Sequence, residues 1–209
     1  MPVGTQLDHL ISRVNSGTRI VSLAGLTSTA SKAFVLSRLH AATRKRFAVV
    51  APSNAELAEW AADLLFWGVP ALPLPSFDAD PYSGSSPHAR TQEQRAVALW
   101  QLQGNEVPAV VMSARSLVQR TVSPDEAARL GIEAGRDQEL PPDRLVKHLI
   151  AVGYVREDPV VSPGQFIVRG GIIDVWSPDA DIPLRLEFFG YHLDSIRSFN
   201  PVTQLTIAH

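Results

Sequence analysis

Apolar residues recur at Leu7, Leu10, Ile11 and Val14, the spacing of one helical face, and the pattern stops at Gly17. RIVSLA, residues 19–24, is a β-rich run, and Phe34, Val35 and Leu39 after it return to helical spacing. FAVVA, residues 47–51, is apolar throughout, which predicts a strand buried on both faces. SNAELAEWAADLLFWG then predicts a helix with Ser53 or Asn54 as N-cap and Gly68 as its end. Beyond the proline-rich VPALPLPS, Ser86 with Pro87 behind it marks a helix start, ARTQEQRAVALWQLQG carries that helix to Gly104, and PAVVM is another fully apolar strand. Strands alternating with helices of this length predict an α/β fold of βαβ units, its parallel sheet covered on both faces.

The texture changes after SARSLVQR. A short helix (SPDEAARLG), a polar stretch and a helix carrying Leu145, Val146, Leu149 and Ile150 up to Gly153 lead into strands QFIVRGGIIDVW, PLRLEFFG and HLDSIRSF. Their Gly-Gly, Pro-Asp and Gly190 punctuation predicts an α+β domain rich in antiparallel hairpins. The boundary is expected near residues 118–123, dividing the chain into 1–120 and 121–209.

Strand parity sorts PLRLEFFG into a core face, Leu184, Leu186 and Phe188, and an opposite face, Arg185, Glu187 and Phe189. Arg169 sits at the tip of QFIVRGG on the face of Ile167. One reading is a surface ion pair of Arg185 with Glu187 or a neighbour, beside a phenylalanine covered by a loop. The other is an interface hot spot, where aromatics and arginine dominate. Pattern alone leaves both open.

Composition narrows the function classes. The chain has 209 residues and no cysteine, so disulfides and thiolate metal sites are excluded, as fits a reducing cytoplasm. Its 6 histidines are scattered without ligand spacing, and no metal is expected. The start, MPVGTQLDHL, lacks the basic and apolar regions of a secretion signal, and no run is long enough to span a membrane. Net charge is −2, so any DNA contact would need a local patch.

GLTSTASK, Gly25 to Lys32, stands where a phosphate-binding loop would stand between strand and helix. Gly25 matches. Ala30 adds a Cβ where the turn is tightest, Ser31 replaces the phosphate-binding lysine, and Lys32 puts a cation where the magnesium-binding hydroxyl belongs. The helix start could still touch an anion, but a β-to-α turn kept for packing is the favoured reading. Asp78 and Asp80 form a carboxylate pair in a loop and are read as a solvated turn. No nucleophile motif is present, and the chain reads as non-enzymatic and without a cofactor.

The run VRGGIIDVWSPDADIPLRLEFFGYHLDSIRSFNPVTQ resembles the domain that follows the first motor fragment in two bacterial repair families, the damage-recognition subunit UvrB and the transcription-repair coupling factors. DADPYSGSSPHARTQEQRAVALWQL and VVMSARSLVQR resemble coupling-factor segments upstream. UvrB keeps an intact phosphate loop and a tyrosine-rich hairpin, whereas the coupling-factor module has a degenerate loop, so the coupling factors are the nearer resemblance. That resemblance implies a RecA-like, P-loop NTPase-type subdomain with a degenerate loop, followed by a UvrA-docking domain, together forming an N-terminal piece of a much longer chain. It implies docking through Arg169, Arg185 and Phe189, with Glu187 at the rim; Trp176, where the pattern usually has Phe, is read as core. RNA polymerase and DNA would be partners of other domains in the parent, an ATP-dependent translocase. A UvrB-like ATPase and a direct DNA-binding module stand as alternatives.

Overall fold

The computed structural model describes residues 3–79, 82, 84, 86–104 and 107–207, and the chain divides into two compact units, residues 1–124 and 125–209. The first contains α1 (Val3–Asn15), α2 (Thr29–Thr43), β1 (Phe47–Ala51), a 3₁₀ turn (Asn54–Glu56) running into α3 (Leu57–Phe66), β2 (Ala71–Leu74), α4 (Ala89–Gln101), β3 (Ala109–Ser113) and α5 (Ala114–Val118). Its strands are parallel in the order β1-β3-β2, so each helical crossover carries the chain to a strand in the same sense. Val49, Ala51, Ala109 and Val111 form the buried face, packed against Ala33 of α2 and Leu57, Trp60 and Leu64 of α3.

Two expectations about strands fail in opposite directions. RIVSLA belongs to no strand, and Ile20 is 82% exposed. β-rich composition describes fitness for a half-buried pleated surface; residues 19–24 have no neighbouring strand to supply it. ALPL, hidden by its prolines, is β2, a strand at the sheet edge, where a proline fits because an edge leaves some N–H positions unpaired. The second face of the sheet is covered incompletely at β1. FAVVA is an edge strand, and Val50 lies half exposed on the side away from α2 and α3.

Helix starts differ as well. Neither Ser53 nor Asn54 caps α3: Ser53 makes no side-chain cap bond, and Asn54 instead reaches across to the β2 exit, its Oδ1 accepting from the Ser76 amide at 2.8 Å. α4 begins at Ala89 after His88, not at Ser86, and Gln92 Nε2 donates back to the Pro87 carbonyl. On the buried side of α4, Arg95 is 2% exposed. Its guanidinium donates to the Pro75 carbonyl and to Ser116 Oγ, lies 4.7 Å from the Phe77 ring centroid, and is pushed below its ordinary pKa by burial.

The second unit contains α6 (Pro124–Leu130), α7 (Pro142–Ala151), β4 (Val155–Arg156), β5 (Gln165–Arg169), β6 (Ile172–Val175), β7 (Leu184–Phe189) and β8 (His192–Ser198). The strands lie in sequence order, β4 parallel to β5 and the rest antiparallel. Two-residue turns join β5 to β6 and β7 to β8, with Gly170 and Gly190 each at φ +63°, a conformation open to glycine at no steric cost. The inner face (Phe166, Ile173, Val175, Leu186 and Leu193) packs on Leu140 and on Leu145 and Leu149 of α7. On the outer face Ile167 joins Val160 and Phe199 in a smaller cluster, with Trp176 against it and its indole N–H donating to the Ala180 carbonyl.

Candidate functional site

The rest of that outer face is mostly polar, and register fixes its order. One rung across the sheet reads Ile167, Asp174, Arg185, Arg197; the next reads Arg169, Ile172, Glu187, Ser195. Between Glu187 and Phe188 the pairing slips because β8 carries one extra residue, Asp194, while β7 stays regular. The alternation along β7 therefore holds: Leu186 is buried, Phe188 packs on the core, and Phe189 is 83% exposed beside the turn.

Asp174 organises the centre. Its carboxylate is 1% exposed. Arg185 Nε donates to Oδ1 at 2.7 Å and Arg185 Nη2 to Oδ2 at 2.9 Å, while Arg169 Nη1 also reaches Oδ2 at 3.1 Å. Two-toothed guanidinium–carboxylate pairing of this kind combines charge with fixed geometry. Arg169 Nη2 also pairs with Asp158. Beneath Arg185 lies the buried Phe199 ring, 5.0 Å from the guanidinium carbon to the centroid, a cation–π arrangement. Hydrogen bonding to Asp174 raises the Arg185 pKa; the charges of Asp174 and Glu187 add to this, and partial burial opposes it.

Among the residues singled out by parity, Arg169 and Arg185 are thus brought together through a shared carboxylate. Of the ion pairs anticipated for Arg185, with Glu187 or a neighbour, the one that forms is to the cross-strand neighbour Asp174. Glu187 turns the other way, accepting from Ser195 Oγ at 2.7 Å and pairing with Arg197 Nη2 at 3.2 Å. Among the described residues no loop covers Phe189. Asp174, Arg197 and Phe199 went unassigned in the sequence; the available signal was an acid, Asp174, inside the apolar run GGIIDVW.

In the first unit, Gly25 adopts φ +85° and Ser28 caps α2. Ser28 Oγ accepts from the Ser31 amide at 3.2 Å, Ser31 Oγ donates to the Ser28 carbonyl at 2.8 Å, and Ala30 lies exposed in the first turn. Lys32 Nζ sits 6.0 Å from the centroid of the Trp60 ring. Lys32 also lines a shallow groove of about 240 Å³ whose other walls are Leu23, Leu26, Val35, Leu36 and Leu39. Apart from that ammonium, the side chains lining the groove are apolar. Asp78 accepts from Asn54 Nδ2 and Ser76 Oγ, which ties down the loop; Asp80 lies outside the described residues. Among the described residues no cluster of three acidic or histidine side chains could hold a metal ion, and no helix is long and apolar enough to cross a membrane.

Residues 132–209, which include this outer face, match the UvrB interaction domain family. Over nearly its whole length the chain is similar to transcription-repair-coupling factors: 34% identical to that of Myxococcus xanthus over 98% of the chain, and 32% identical to that of Bacillus subtilis over 95%. It is also 27% identical to UvrABC system protein B of Chlorobium limicola over 95% of its length. The chain is therefore a homologue of the transcription-repair-coupling factors, and it spans 18% and 17% of the length of the first two.

Proposed function

We propose that residues 121–209 are a docking domain for the UvrA subunit of the excision-repair machinery, and that the chain is the non-catalytic N-terminal module of a transcription-repair coupling factor. The observation that carries this reading is the outer sheet face, where two guanidiniums share one buried carboxylate and a phenylalanine 83% exposed stands further along the same face, within the span that matches the UvrB interaction domain. A large aromatic left in water on the same sheet face as ordered arginines is the composition of an interface hot spot. Arg169, Arg185 and Phe189 are the docking residues, with Glu187 at the rim.

Residues 1–120 are, on this reading, a RecA-like subdomain whose phosphate loop has lost its chemistry. Two contacts support that: Lys32 lies against Trp60, and the hydroxyls of Ser28 and Ser31 are engaged in capping α2. ATP-driven DNA translocation, displacement of stalled RNA polymerase, and contacts with polymerase and DNA would belong to other domains of a cytoplasmic parent chain.

Calorimetry with purified UvrA tests the docking face. Arg185→Ala and Phe189→Ala are each expected to cost about 2 kcal/mol or more of binding; unchanged affinity in both sinks the assignment. The similarity to UvrABC system protein B favours a second reading, a damage-recognition ATPase. It predicts saturable ATP binding that Lys32→Ala abolishes, whereas the recruitment reading predicts a flat titration at millimolar ATP with magnesium.

A further inference from the structure

We infer that Asp174 is a positioning residue of the docking face, holding Arg169 and Arg185 in the geometry a partner meets; this rests on the docking reading above. At 1% exposure the carboxylate cannot touch a partner, so any part it plays runs through the arginines it holds. Both of its oxygens are engaged, Oδ1 by Arg185 Nε and Oδ2 by Arg185 Nη2 and Arg169 Nη1. With Phe199 under the guanidinium and Thr206 Oγ1 3.5 Å from Nη1, Arg185 is fixed by two hydrogen bonds and a ring face.

The need for such a residue follows from register. Arg185 stands directly opposite Arg197 across the β7–β8 pair, and like charges in that relation repel. Asp174 on the other flank and Glu187 one rung along draw the two guanidiniums apart, Arg185 to Asp174 and Arg197 to Glu187. Without Asp174, Arg185 would lose both of its carboxylate bonds and Arg169 would keep only Asp158, so ordering would have to be supplied on binding. With it, the face is rigid before the partner arrives.

The test uses the 209-residue chain, purified UvrA, and the variant Asp174→Asn, which keeps shape but not charge. In the free wild-type protein the Arg185 Nε–H resonance is expected to be sharp and protected from solvent exchange; a signal like that of free arginine would overturn the inference without any variant. Asp174→Asn is expected to weaken UvrA binding about tenfold, as freed long side chains must be ordered again. On an Arg185→Ala background it should cost less than about twofold further, because coupled residues are not additive. An equal loss on both backgrounds, or wild-type affinity in Asp174→Asn when Arg185→Ala binds poorly, overturns the positioning role alone. Wild-type affinity in both Arg185→Ala and Phe189→Ala overturns the docking reading and this inference with it.

Discussion

At the scale of residues, Arg185 and Phe189 differ in what their removal does to the fold. Arg185 neutralises a carboxylate that is 1% exposed, so Arg185→Ala leaves Asp174 with Arg169 alone and should destabilise the protein by about 2 kcal/mol. Phe189 is 83% exposed, and Phe189→Ala should leave stability within about 0.5 kcal/mol. Thermal unfolding of the two variants beside wild type checks both values, and Phe189→Ala is the cleaner probe of binding. Parity exposed Phe189 because one strand suffices to sort its own residues into faces. The partner of Arg185 was not legible, because Asp174 lies 11 residues away on another strand and only the β6–β7 register puts them together. Glu187, closer in sequence, is drawn instead to Arg197 and Ser195.

Elements in the first unit are joined by a buried cation. Arg95 of α4 reaches the exit of β2 at Pro75 and the start of α5 at Ser116, two points also joined by hydrogen bonds between Phe77 and Gln119. Arg95→Ala would leave the Pro75 carbonyl only the long bond from Ser116 Oγ, and a hole beside Phe77, at a cost of about 3 kcal/mol. A fall in the melting temperature of residues 1–124 would bear this out; an unchanged melt would mean that water replaces the guanidinium. The helices were legible in the sequence because apolar periodicity is local. Strand identity was less so: RIVSLA has strand composition without a neighbour, and ALPL has a neighbour in β3 despite its prolines. Pairing is a property of two segments, and neither carries the whole signal.

For the whole molecule, the two units have separate cores, one built on Val49, Trp60, Leu64 and Val111, the other on Phe166, Ile173, Leu186 and Leu193. Residues 125–209 alone should therefore fold and retain UvrA affinity within about threefold, since none of the proposed docking residues comes from the first unit. Circular dichroism and calorimetry on that fragment decide the point; a loss of binding would assign the first unit a share of the interface. The domain-level texture change near residue 120 was visible in composition alone, since hairpin punctuation and helical crossovers use different residues. The placement of Asp174 on β6 also bears on attempts to copy the surface. A synthetic hairpin of residues 184–198 would display Arg185, Glu187, Phe189 and Arg197, yet it would leave Arg185 facing Arg197 with its own counter-charge missing. A faithful decoy must start by Asp158, the partner of Arg169, take in β5 and β6 and run to Phe199, and an antibody raised against the shorter peptide would recognise an arginine in the wrong pose.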